Sequence, residues 1–126
     1  MLKMLLRTVA AAALIGLPLA ACGGGGSSST ATTTKADLTV HALDSLKFDK
    51  AEYTAKAGAL TVAYINDGSL VHTLLIKEKP DFTKLQVSGR GETKTGTANL
   101  TAGTYTLFCD VPGHEGAGMK ATLTVS

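Results

Sequence analysis

From Asp37 to its end the chain alternates apolar and polar residues in short runs broken by glycine, asparagine and aspartate. A period of two sets alternate side chains on opposite faces of an extended strand, which a helix cannot do. Leu38, Val40 and Ala42 alternate with Thr39 and His41, and Leu46-Lys47-Phe48 follows a turn at Asp44-Ser45. Residues 59–66, ALTVAYIN, are rich in β-branched and aromatic side chains and end at Asn66-Asp67-Gly68-Ser69, where Asp-Gly is a strong turn signal. The next strand is expected over Leu70–Lys77, stopped by Lys79-Pro80. Phe82–Val87 reads as a strand or a short helical turn, and Thr93–Leu100 as a polar edge strand. Thr104–Cys109 and Met119–Val125 complete the series. Short strands with no sustained helical period predict an all-β fold, a β-sandwich or a barrel.

The first third is of a different kind. Lys3 and Arg7 precede an apolar stretch, Val9 to Leu19, dominated by Ala and Leu. It is short for a membrane span and reads as an export signal over residues 1–21. It ends in Leu19-Ala20-Ala21-Cys22, which resembles the lipobox of bacterial lipoproteins, where the cysteine is lipidated and becomes the mature N-terminus. Residues 23–36, GGGGSSSTATTTKA, cannot bury apolar surface and read, with Cys22, as an anchored flexible tether. At 5–6 Å times the square root of its length, its r.m.s. reach is about 20 Å. The expectation is a folded domain over residues 37–126, exported and lipid-anchored to a bacterial membrane, facing the periplasm or the cell exterior.

The formal charge of +2 belongs to that leader. Without Lys3 and Arg7 the 12 basic residues become 10, matching the 10 acidic ones. No Lys/Arg cluster appears, which excludes nucleic acid as a partner, since such binding depends on phosphate neutralisation.

Chemistry concentrates near the C-terminus. Cys109, His114 and Met119 lie five residues apart, with Pro112, Gly113, Gly116 and Gly118 shaping the loop between them. Thiolate, imidazole and thioether form the soft ligand set that selects copper for electron transfer. A second histidine is needed, and His41 and His72 are the others available. Period two places His72 on one face with Leu70, Leu74 and Ile76, Cys109 with Tyr105 and Leu107, and Met119 with Ala121, Leu123 and Val125. His41 alternates with core positions and is expected at the solvent face, without a role. A lone inward His, Cys or Met is ordinarily a packing residue. Here, once the leader is removed and Cys22 lipidated, Cys109 is the remaining thiol and Met119 the remaining methionine. An exported protein with one unpaired cysteine calls for a reason, and metal ligation supplies one.

On these residues the stretch resembles the C-terminal copper loop of the cupredoxins, the blue-copper family of plastocyanin, azurin and auracyanin. Gly103-Thr104-Tyr105 leading to Cys109, Pro112-Gly113-His114, and Gly116-Ala117-Gly118-Met119 match its pattern, and Asn66 and His72 match its first-histidine region. The resemblance covers residues 37–126. It implies a Greek-key β-sandwich holding one copper ion at one end, ligated by His72, Cys109 and His114 with Met119 as a distant axial ligand. Cys-x4-His-x4-Met is similar in spacing to auracyanin and rusticyanin. Asn66 and Thr73 are expected to support the ligands; Thr73 stands where the family often has Asn, and Ala121 where a Gly is common.

The function implied is single-electron transfer by a monomeric, non-enzymatic carrier that docks transiently with redox protein partners. A small apolar patch formed by Leu70, Val71, Val111, Pro112 and Ala117 around an exposed edge of His114 would suit brief docking. Two other readings are a lipoprotein that buffers or delivers copper, and one domain of a copper oxidase or reductase. The second needs more copper ligands than His41 could add. A binuclear copper site needs a further loop cysteine, absent from residues 110–118, and structural zinc rarely uses methionine.

Overall fold

The computed structural model describes residues 35–126. The export signal, Cys22 and the tether up to residue 34 lie outside the described residues. Nine strands follow: β1 (Leu38–Leu43), β2 (Lys47–Phe48), β3 (Glu52–Ala55), β4 (Gly58–Asn66), β5 (His72–Ile76), β6 (Leu85–Val87), β7 (Thr93–Leu100), β8 (Gly103–Phe108) and β9 (Lys120–Val125). They form two sheets, β2-β1-β4-β7 and β3-β9-β8-β5-β6, that face each other as a Greek-key β-sandwich.

Alternation along each strand supplies the core. Leu38, Val40 and Ala42 of β1, Leu60, Val62 and Tyr64 of β4, and Ala98 and Leu100 of β7 are buried from the first sheet. Leu74 and Ile76 of β5, Leu107 of β8, and Ala121, Leu123 and Val125 of β9 answer from the second. Leu74, Leu107 and Leu123 are fully buried, and truncation of such a residue to Ala typically costs about 2–5 kcal/mol. Thr93–Leu100 is at the sheet edge, as its polar sequence predicts.

Beside one-residue shifts that leave Cys109 and Met119 just outside β8 and β9, three larger differences separate the structure from the sequence pattern. The strand expected over Leu70–Lys77 begins only at His72, and Leu70, expected on the core face, is 44% exposed. The side chains of Asn66 and Asp44 hold residues 66–70 as a turn instead, Asp44 accepting from the Ser69 and Leu70 amides. Asn66 donates from Nδ2 to Leu70 O at 2.9 Å, and its Oδ1 accepts from Gly68 N at 3.1 Å. In the Phe82–Val87 segment, Phe82 N bonds back to Lys79 O at 3.0 Å in a turn, and the strand is confined to Leu85–Val87. Strand β3 has only one strongly apolar residue, Tyr53, and carries little period-two signal; it forms by parallel pairing with β9, Tyr53 opposite Leu123.

One polar bond crosses between the sheets. Tyr64 on β4 is completely buried, and its hydroxyl donates to Thr73 O on β5 at 3.1 Å. Burial and the nearby Cys109 push the Tyr64 phenol well above its ordinary range, so it remains a neutral donor. Phe48 packs edge-on against it, ring centroids 6.1 Å apart. Tyr64→Phe is expected to lower the stability of the metal-free protein by about 1–2 kcal/mol, because a buried carbonyl loses its donor. Urea unfolding with an unchanged midpoint would refute this.

Candidate metal centre

Strands β5 and β8 pair antiparallel through Ile76↔Leu107 and Leu75↔Phe108, and there the ladder stops. Continuing the same register would set Leu74 against Cys109 and Thr73 against Asp110. Side chains take over at that point. Thr73 N donates to Cys109 Sγ at 3.4 Å, and Asp110 N donates to Thr73 Oγ1 at 2.9 Å. Thr73 Oγ1 also lies 3.4 Å from Cys109 Sγ and 2.7 Å from Asp110 Oδ1. A hydroxyl has one proton to give. The short contact to a carboxylate takes it, which leaves the Thr73 amide as the donor to sulfur. Thr73 is therefore buried although it lies on the face opposite Leu74.

Backbone bonds tie the loop after Cys109. Cys109 N donates to Met119 O at 3.1 Å, and Met119 N donates to His114 O at 3.0 Å, so the three residues are linked main chain to main chain. Between them Ala117 N bonds to Gly113 O at 3.1 Å and Gly118 N to Glu115 O at 2.9 Å, closing consecutive turns. These turns need positive φ at Gly113 (84°) and Gly118 (108°), where a side chain would be strained. At Gly118 a Cβ would also lie 2.8 Å from Lys47 Nζ.

These elements bring one ligand atom each of His72, Cys109 and His114 within 4.8 Å of one another. Cys109 Sγ is 3.6 Å from His114 Nδ1, and the His72 and His114 rings are 5.2 Å apart at 56°. Cys109, His72 and Met119 are fully buried, and His114 is half-buried. Burial and the neighbouring His114 hold His72 below its ordinary pKa, against the opposing pull of Asp44, so it is a neutral imidazole with a lone pair to offer. Neither of its ring nitrogens has a hydrogen-bond partner. Two unpartnered nitrogens in a buried ring are costly, about 1–3 kcal/mol each. A metal ion accepting one lone pair beside a thiol removes that cost for the nitrogen it binds, so the residues fit a soft metal. His41 lies apart, its Nδ1 2.9 Å from Asp67 Oδ2 at the surface.

A family model for copper binding proteins of the plastocyanin/azurin family matches residues 33–126. The chain belongs to that family. Its cofactor is copper, and its class is that of the blue-copper electron-transfer proteins. It is similar to plastocyanin of Scenedesmus fuscus, 33% identical over 90 residues that cover 64% of this chain and 88% of that one. It is also similar to plastocyanin of Nostoc punctiforme, 31% identical over 93 residues, 64% of this chain and 65% of that one. Among solved structures it is similar to dithionite-reduced auracyanin of Roseiflexus castenholzii, with a TM-score of 0.61, 22% identity, and coverage of 71% of this chain and 95% of that one. The solved structure confirms the fold and the family model confirms the cupredoxin resemblance read from the loop residues.

Sequence reasoning missed the charges beneath the cupredoxin loop. Lys84 Nζ lies 2.7 Å from Asp110 Oδ2, and Lys77 Nζ 2.6 Å from Glu115 Oε1. Both lysines are distant in sequence from their partners, and only the β5–β8 register and the turn before β6 bring them near. Lys84 first, then Thr73, hold the Asp110 carboxyl below the usual carboxylate range. The amides of Leu70 and Ser69 hold Asp44 lower still, at about 2. A carboxyl depressed by folding contributes stability that is present above its unfolded value and is lost as pH falls through its folded value. The urea midpoint of the metal-free protein is accordingly expected to hold near neutrality and to fall progressively from roughly pH 4 toward pH 2. A flat midpoint across that window would contradict it.

Proposed function

We propose that this cupredoxin is an extracytoplasmic, lipid-tethered carrier of single electrons between redox partner proteins, with His72, Cys109, His114 and Met119 as the copper ligands. The observation that carries the reading is His72: fully buried, with both ring nitrogens unpartnered, and with a ligand atom within 4.8 Å of those of Cys109 and His114. Copper supplies a one-electron couple, and thiolate, thioether and imidazole are ligands acceptable to both of its states.

The remaining work falls to the chain. The Thr73 amide bonds the sulfur that would carry thiolate charge, at 3.4 Å. The bonds joining Cys109, Met119 and His114 fix the loop, so that little needs to move when the charge changes. The sandwich core excludes water from Cys109 and Met119, while His114 keeps part of its ring at the surface as a route for electrons. Membership of the plastocyanin/azurin copper-binding family supports a carrier rather than an enzyme.

Docking is proposed at the end of the sandwich where His114 emerges. Leu70 and Val71, immediately before His72, are 44% and 43% exposed. Together with the partly buried Val111 they offer a small apolar surface suited to weak, brief contacts. The tether would keep the domain near a membrane while leaving it free to turn between partners.

Copper(II) added to the purified protein is expected to give an intense visible thiolate-to-copper band that bleaches reversibly on reduction. Cys109→Ser is expected to abolish it; a variant that keeps the band would refute the ligand set. Copper bound without the band and passed quickly to a chelator would instead mark a protein that stores or delivers the ion. Val71→Lys is expected to keep the band and slow electron self-exchange between copies by about tenfold, since like charges then meet at the contact. NMR line broadening in mixtures of the two oxidation states measures that rate, and an unaltered rate would move the docking surface elsewhere.

A further inference from the structure

A carboxylate stands behind His72. Asp44 follows β1, and its Oδ1 accepts from Ser69 N at 2.9 Å and Leu70 N at 3.0 Å. Its Oδ2 accepts from Ser69 N at 2.9 Å and from Ser69 Oγ at 3.1 Å. The turn between β4 and β5 is thus wrapped around one side chain. Gly68 is required by the wrapping, because a Cβ there would fall 1.9 Å from Asp44 Oδ1. The same Oδ1 lies 3.8 Å from His72 Nε2. That is too long for a hydrogen bond and close enough for a charge to act. Nε2 has no hydrogen-bond partner, so this carboxylate is the acceptor it faces.

We infer that Asp44 is a positioning residue for the copper site: it holds the His72 imidazole with its proton on Nε2, leaves the Nδ1 lone pair for the metal, and places a negative charge behind the ligand that favours the cupric state. The inference rests on His72 being a copper ligand. The physical reason is that a carboxylate beside the far nitrogen of a metal-bound imidazole fixes its tautomer and raises its basicity. Asp44 is suited to the task because its own position is over-determined. The bonds from residues 69 and 70 hold it ionised, and they order the stretch of chain that enters His72. A single group therefore sets both the ring's environment and the backbone leading to it.

Asp44→Asn tests the charge, because its amide oxygen still accepts from the Ser69 and Leu70 amides. The copper-loaded variant is expected to keep the visible band. Its preference for copper(II) over copper(I) should fall about tenfold, read as a reduction potential about 59 mV higher. Ser69→Ala removes a contact to Oδ2 without removing charge and should leave the potential where it is. In the metal-free protein, nitrogen NMR of His72 should show the Nε2–H tautomer, and Asp44→Ala should give a mixture. An unchanged potential in Asp44→Asn with the band present overturns the inference and leaves the ligand set standing. An Nδ1–H tautomer in the parent protein overturns it also. A parent protein that shows no band with copper overturns the ligand set, and the inference with it.

Discussion

The structure depends on a ladder that stops. Strands β5 and β8 share backbone bonds as far as Leu75 and Phe108, and beyond that pair they are joined through side chains. If the ladder continued, the Thr73 amide would be consumed by the sheet and Cys109 would be one more core residue. Because it ends, an amide is free to meet a sulfur atom, and Thr73 and Asp110 close the gap by exchanging hydrogen bonds. The opening costs sheet bonds, and those contacts offset the cost. Tyr64 reaches across from the other sheet to the Thr73 carbonyl and holds the edge of the opening in place.

Around that opening each proposed ligand residue is fixed by a different means. His72 begins its strand immediately after a turn stapled by Asn66 and Asp44. Cys109 directly follows β8, and Met119 precedes β9, with a backbone bond between them. His114 lies on the intervening turns and is tied to Met119. Three of the proposed ligands thus lie at or beside strand ends of one packed sandwich, and the fourth is on a loop bonded to Met119. That distribution gives a site that is rigid in its interior and exposed at one edge, which is what transfer of an electron without rearrangement requires.

Charge is arranged at a distance from the sulfur. Asp110 and Glu115, which the sequence places in the loop, are each met by a lysine from elsewhere, so the loop is neutralised locally. Asp44 is the exception: its partners are amides and a hydroxyl, and its charge remains available to His72. The Thr73 hydroxyl, which by position alone reads as a donor to the ligand loop, gives its proton to Asp110. The sulfur is left with a single amide, the contact on which the electron density of a bound thiolate would depend.

Much of this was legible in the residues. Period-two alternation determined the all-β class, most strand limits, the edge placement of Thr93–Leu100 and the inward faces of His72, Cys109 and Met119, because side-chain direction in a strand follows from parity alone. Spacing and side-chain chemistry pointed to the residues proposed for the copper loop. The tertiary structure decided what parity cannot carry. Leu70 shares parity with His72 yet is exposed, because Asn66 and Asp44 bend the chain before the strand begins. Tyr53 enters a strand on the strength of its partner β9 rather than its own sequence. Asp44, Lys77 and Lys84 read as ordinary turn and surface charges until the sheets close, since Asp44 and His72 are separated by 27 intervening residues and nothing local marks the pair. Contacts of that kind depend on register and sheet order, and only the folded sandwich supplies both.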